Sequence, residues 1–399
     1  MRDSIGSSRA DVLVLGLGPG GLGILRSLRG YDDIRKYGVT FNPLTEKGRL
    51  TRLCSVLSWP DPRSDEDGFV ASLTLWAGRR EKSHHFPTRD DEVFWLAEHA
   101  DILPPNILYY RNYCGQLNRL ANKFLATELA ETCGLKVPHS VDIAENIPVP
   151  TDFAFPGIIK PSSVVPRDFP HKNLIVGNAG ELKEILNTYP SLLNAAILQE
   201  YIPGGDDRMY ECNILVGQSG MTLASVEFRK LRQYPVGRGL ASFGHTFADK
   251  KLCQISETLM KTAGIRGPVN FEFKKDSRDE RLVFIEANVR MPAYSSIYSC
   301  TGVNLTQIYV DDLLGESRSD QHNNDAKICC WMHEDLDAAN VLTRKVDIGI
   351  AEWVAYLMKT DAFAFWYSHD PMPGIVNIYQ FIRNSLNRLS RILRGRGEA

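Results

Sequence analysis

Val269-Asn270-Phe271-Glu272-Phe273-Lys274-Lys275, Asp276-Ser277-Arg278-Asp279-Glu280 and Arg281-Leu282-Val283-Phe284-Ile285-Glu286-Ala287-Asn288-Val289-Arg290 form one continuous stretch on which the fold turns. Two alternating runs flank a segment rich in turn formers, which predicts a β-hairpin. Side chains alternate along a strand, so Val269, Phe271 and Phe273 share one face and Asn270, Glu272 and Lys274 the other. On the returning strand Val283, Ile285, Ala287 and Val289 lie opposite Glu286, Asn288 and Arg290. Pairing the strands brings Glu272 close to Glu286 and Asn288. Two carboxylates and an amide oxygen, with a cation beside them, are the hard donors that a magnesium ion bridging nucleotide phosphates requires. A solvated strand face has the same alternation, so the surrounding pieces decide between the two.

Upstream, Ile197-Leu198-Gln199-Glu200-Tyr201-Ile202-Pro203-Gly204-Gly205-Asp206-Asp207-Arg208 carries an apolar strand into a Pro-Gly turn rimmed with acids. Backbone groups near Glu200 and Ile202 are free there to meet the edge of a planar base, and Asp206 can hold ribose hydroxyls; alone, the stretch also reads as an acidic surface turn. Phe155-Pro156-Gly157-Ile158-Ile159-Lys160-Pro161-Ser162-Ser163 ends a strand on a lysine that can serve as a point charge for phosphate. Lys172 approaches the same place if the intervening loop folds over. Further strands are predicted at 174–176 and, about a Gly217–Gly220 turn, across 209–228. One long helix over 117–133 carries Lys123 and closes on Gly134.

Nearer the start, the apolar run Val12–Gly16 enters Gly16-Leu17-Gly18-Pro19-Gly20-Gly21-Leu22-Gly23 and then helical spacing, which predicts strand, tight turn and helix. With a second strand at 38–41 and a helix at 90–99, the first domain reads as α/β and Rossmann-like. Gly16-x-Gly18-x-x-Gly21 also matches a dinucleotide fingerprint and so an NAD- or FAD-dependent oxidoreductase, but the second strand ends at Phe41-Asn42 without the acid that holds an adenine ribose. The same turn can present a helix N-terminus to a carboxylate or amine substrate. At the other end, 381–394 is a basic amphipathic helix with Leu386, Leu389, Ile392 and Leu393 on one face, suited to anionic lipid, to a partner or to packing.

A chain of 399 residues fits two or three domains that share a site. Its net charge of -2 gives no bulk electrostatic reason to bind nucleic acid. No window approaches the roughly 18 apolar residues of a membrane span, and Met1–Ala10 lacks a signal-peptide core, so a cytoplasmic protein is expected. No two of the eight cysteines have C-x-x-C spacing, which reads as reduced thiols. His84 and His85 have no nucleophile to pair with and read as surface residues.

The order of these pieces resembles the ATP-grasp superfamily, and within it the D-aspartate ligase type of carboxylate-amine ligase, over most of Phe86 to Asn304. The likeness is specific in Tyr201 through Met209, in Asn270 to Phe273 and in Phe284 to Arg290; Phe86-Pro87-Thr88, with acids following, looks like the pre-grasp segment. The resemblance implies an α/β fold with a Rossmann-like pre-ATP-grasp domain (1–112), a two-part grasp (113–196 and 197–326) and a mostly helical C-terminal extension (327–399). It implies that Lys123 and Lys160 hold ATP phosphates, that Glu200, Tyr201 and Ile202 frame the adenine, and that Asp206 takes the ribose. Glu272, Glu286 and Asn288 would hold one or two magnesium ions, for which manganese may substitute, and Arg290 would stabilise the transferring phosphoryl group. Arg208 and Lys172 are secondary positions, and Arg232, in the basic stretch Arg229–Pro235, is the expected substrate contact. The sequence departs from the superfamily between Ser162 and Lys172, which lacks the glycines common in its phosphate loops.

The implied reaction is ATP-dependent amide or other C–N bond formation from an amino acid or small carboxylate through an acyl-phosphate. Small-molecule substrates, no nucleic acid, no membrane span and a homodimer are the expected partner pattern. Attachment of an amino acid to a non-peptide core, and an ATP-binding regulator without catalysis, are the alternatives beside the oxidoreductase.

Overall fold

The computed structural model describes residues 10–144, 153–162, 173–316, 321–322 and 327–395, with side chains to 387. Three sheets organise it. The first is five-stranded and parallel, in the order Ser55–Ser58, Ile34–Thr40, Ala10–Leu15, Ser83–Pro87, Ile107–Leu108. Ala10–Leu15 is buried throughout because both its faces are covered. Val12 and Val14 pack with Leu22 and Leu25 of the helix Pro19–Ser27, whereas Leu13 and Leu15 pack with Phe69, Leu73 and Trp95 of the helices Glu66–Ala77 and Asp90–Glu98. His84 and His85, expected at the surface, lie fully buried in the neighbouring strand, and burial, with His84 alongside, lowers the His85 imidazole to about 3.

The glycine turn is built for close approach. Gly16 has φ +90, a left-handed conformation, and a Cβ on Gly21 would stand 2.0 Å from the Gly16 carbonyl oxygen. A Cβ on Gly23 would stand 2.3 Å from Ser295 Oγ, so this helix lies directly on the turn that follows Arg290.

The second sheet is small and antiparallel, in the order Ser140–Ile143, Ala196–Glu200, Gly157–Pro161, Leu174–Val176. Its strand Ala196–Glu200 lies wholly within it, so the passage to the next sheet falls after 200, a few residues beyond the expected break at 196. The third has eight strands and centres on Met209–Val216, flanked by Gly267–Lys275 and Thr222–Tyr234. Phe271, Phe273 and Phe284 form its core with Leu117, Leu120, Leu129 and Ala130 from two helices, Cys114–Ala121 and Lys123–Thr132. The sequence predicts one helix there. Asn122 breaks it, because its side chain accepts from the Phe124 and Leu125 N–H groups and caps the second helix.

The C-terminal segment is mostly helical, as expected. Besides helices it contributes the strands Cys330–Met332 and Ala362–Phe363 to the large sheet, with Trp331 fully buried in the core. These strands are too short for their periodicity to register in the sequence.

Candidate active site

The second and third sheets, with Pro19 of the first domain's helix, surround a cavity of about 280 Å3. The hairpin forms its floor as expected: Asn270 pairs with Asn288 and Glu272 with Glu286. One detail differs. Phe273 pairs with Phe284, so Ile285 is an extra residue, a bulge that breaks strict alternation and lets Ile285 line the cavity beside Glu286. Asn288 Nδ2 donates to Glu272 Oε1 at 3.3 Å, and Arg290 Nη2 donates to Asn288 Oδ1 at 3.3 Å. Arg290 Nε also lies 3.3 Å from Asp90 Oδ2, which explains one of the acids after Thr88 as the tie between the first domain and this floor.

Lys230 holds the centre of the cluster. Its Nζ lies 2.8 Å from Glu211 Oε1 and 2.7 Å from Glu272 Oε2. Glu211 accepts in turn from Asn270 Nδ2 at 2.7 Å and from the Tyr294 hydroxyl. Burial alone would lower the Lys230 pKa, but the two carboxylates override it and raise it. Glu272 is pushed up to about 7, first by burial and then by Glu211 and Glu286, against the pull of Lys230. The floor thus sets three neighbouring carboxylates against two cations, Lys230 and Arg290. Among the described residues no three His, Cys, Asp or Glu side chains form a ready cage for a metal. Glu272, Glu286 and Asn288, two carboxylates and an amide oxygen, fit instead a magnesium ion that keeps part of its shell on phosphate oxygens.

One wall comes from the small sheet and the turn after it. Lys160, buried, donates to Gln199 Oε1 at 2.8 Å, and Glu200, Tyr201 and Ile202 line the cavity beside it. The Lys274 ammonium sits 4.6 Å from the centre of the Tyr201 ring. Pro19, Tyr294, Trp331 and His333 also line the cavity. His333 Nδ1 lies 2.8 Å from Asp335 Oδ1, and Asp335 Oδ2 is 2.9 Å from Lys47 Nζ, so the ring is held by a chain of charges from the first domain.

Other expected positions lie outside the cavity lining. Asp206 accepts from Gln233 N, Gln233 Nε2 and Gly237 N at 2.9, 2.9 and 2.8 Å, so its carboxylate organises the loop beside the cavity. Arg208 pairs with Glu280 at 2.6 Å on the hairpin turn. Lys123 opens its helix, partly exposed. Lys172 lies outside the described residues. Arg232 is buried against Asp337, with Nε–Oδ1 2.9 Å and Nη2–Oδ2 2.7 Å, under Phe243 and Tyr356. The cation of that stretch that reaches the cavity is Lys230. Pairing with Leu240–Phe247 is irregular between Lys230 and Gln233, so residues 230 and 233 both line the cavity and 232 turns to the Asp337 side.

Sequence reasoning missed Lys230, Glu211 and His333. Glu211 did leave a signal, since a charge inside the apolar strand Met209–Val216 is tolerated only with a partner. His333 left none, because Asp335 two residues on is an ordinary neighbour in sequence and Lys47 and the cavity reach the pair only through the tertiary fold.

No family model and no curated protein matches the sequence. Solved structures do match the fold. The biotin carboxylase domain dimer of the Hydrogenobacter thermophilus 2-oxoglutarate carboxylase, complexed with MgADP, ADP and bicarbonate, is 16% identical with TM-score 0.59, over 78% of this chain and 71% of its own. N5-carboxyaminoimidazole synthetase from Staphylococcus aureus, complexed with ADP, is 12% identical with TM-score 0.58, over 79% and 80%. The L-amino acid ligase of Bacillus licheniformis is 14% identical with TM-score 0.54, over 77% and 75%. The chain has the mixed α/β ATP-grasp fold.

Proposed function

We propose that this protein is an ATP-dependent carboxylate-amine ligase that joins an amino acid or small carboxylate to an amine through an acyl-phosphate. The observation that carries the reading is the floor cluster of Glu272, Glu286, Asn288 and Arg290 around the buried Lys230. ATP takes the wall formed by Lys160 and Glu200–Ile202, and the four-part division at 112, 196 and 326 belongs to the same proposal, with its middle break moved past Glu200. Magnesium, held by Glu272, Glu286 and Asn288, would neutralise charge on the phosphate oxygens; manganese has the same donor preference.

The chemistry has two steps. A carboxylate oxygen of the substrate attacks the γ-phosphorus, the bond to ADP breaks, and Arg290 stabilises the charge on the transferring group. The amine nitrogen then attacks the acyl carbon, the C–O bond to phosphate breaks, and the amine's proton passes to His333, which Asp335 orients. Lys230 keeps Glu211 and Glu272 in place throughout. Trp331, Tyr294 and Pro19 frame the acceptor end, where the helix after the glycine turn begins, so that turn serves packing and substrate in place of a dinucleotide. Small-molecule partners, a homodimer and a cytoplasmic setting complete the reading; no helix among the described residues is long and apolar enough to cross a membrane.

Lys160→Ala weakens ATP binding by about tenfold, the worth of one charge-assisted contact to phosphate. Titration calorimetry of the full chain with ATP and magnesium reads this directly, and unchanged affinity removes Lys160 from the nucleotide site.

A further inference from the structure

Over residues 372–387 the helix Met372–Gly395 packs through one side and leaves its apolar side uncovered. Its first turns rest on the protein: Gly374 lies against Trp366, and buried Asn377 accepts from Lys47 Nζ. The apolar stripe points away from that contact. Ile375, Tyr379, Ile382 and Leu386 are 47%, 62%, 52% and 60% exposed. Their spacing of four, three and four residues keeps them on one face, and the sequence continues it at Leu389 and Leu393. The helix Ile350–Lys359 likewise exposes Ile350, Val354 and Met358, one turn apart.

Charge selects the occupant. Residues 372–395 contain Arg383, Arg388, Arg391 and Arg394 and no aspartate or glutamate. A second copy laid along this stripe offers these cations no carboxylate, since neither helix carries one. An anionic lipid surface satisfies both features, taking the apolar side chains at the acyl boundary and the guanidinium groups at the headgroups. We infer that Met372–Gly395 is an interfacial helix that docks this protein, without spanning, onto anionic lipid. The inference is independent of the reaction assigned to the cavity.

Co-sedimentation of the full chain with mixed phosphatidylcholine and phosphatidylserine vesicles, against phosphatidylcholine alone, tests it. Binding is expected to the mixed vesicles only and to weaken with added salt. Ile382→Glu with Leu386→Glu lowers it at least about tenfold, since each removes a large buried side chain from the lipid boundary. Arg383→Gln lowers it about fivefold, the contribution of one cation at such a surface. Both sites are exposed, so an unchanged thermal midpoint confirms folding. Absent binding to mixed vesicles, or binding equal in the glutamate variant, overturns the proposal. A chain that sediments as a dimer and becomes a monomer in that variant overturns it in favour of a second copy.

Discussion

Glu286→Gln lowers ATP- and magnesium-dependent ADP formation by at least about a thousandfold, the scale on which one group acting directly on transition-state charge contributes. Glu286 faces Glu272 across the hairpin and lines the cavity floor, so the change removes one of two carboxylates from the donor set while keeping size and shape. Its loss also removes a negative neighbour that raises Glu272, so the fold gains if anything. The expected pattern is therefore an inactive protein with an unfolding midpoint equal to or above that of the unaltered chain. Turnover within tenfold of normal would take Glu286 out of the metal site.

Lys230→Met acts on stability as well as rate. The lysine is the cation between Glu211 and Glu272; it and Glu211 are buried, and Glu272 is mostly so. Removing one partner of a buried ionic group costs about 3–5 kcal/mol, because the remaining charges stay desolvated. The pH dependence has a definite sign. Glu272 stands at about 7 in the fold against an ordinary 4.5, so the folded state binds the extra proton between those values, and stability falls as pH rises through that window. Without Lys230 the first influence that lowers Glu272 is gone, so its proton is held to higher pH. The loss on substitution is accordingly larger at pH 8 than at pH 6, as read by denaturant unfolding without nucleotide or metal. An equal loss at both values would mean that Glu272 is not the group left uncompensated.

Much of the floor was legible because it rests on local rules. Alternation and a turn sequence place Glu272, Glu286, Asn288 and Arg290 on one side of a hairpin, and the fold keeps them there. Face assignments failed where a bulge intervened, at Ile285 and between Lys230 and Gln233, because one unpaired residue reverses every side chain beyond it and leaves no mark on composition. That is why Lys230 lines the cavity and Arg232 pairs with Asp337. Asp206 was ambiguous for another reason: an acid at a Pro-Gly turn serves a ribose or a neighbouring loop equally well, and its bonds to Gln233 and Gly237 are not visible in sequence. The short C-terminal strands pair with partners about 30 to 90 residues away and Lys47 meets Asp335 across 288, beyond any window of sequence.

The central claim is an acyl-phosphate formed at the Glu272–Glu286–Asn288 floor, and hydroxylamine trapping tests it most directly. The full chain, ATP and magnesium are incubated with a panel of amino acids, D-aspartate included, and ADP and hydroxamate are measured with and without hydroxylamine. ADP release that depends on one carboxylate, accompanied by its hydroxamate and lost in Glu286→Gln, is the predicted result. ADP release without hydroxamate for any acid, or release undiminished in Glu286→Gln, would contradict it.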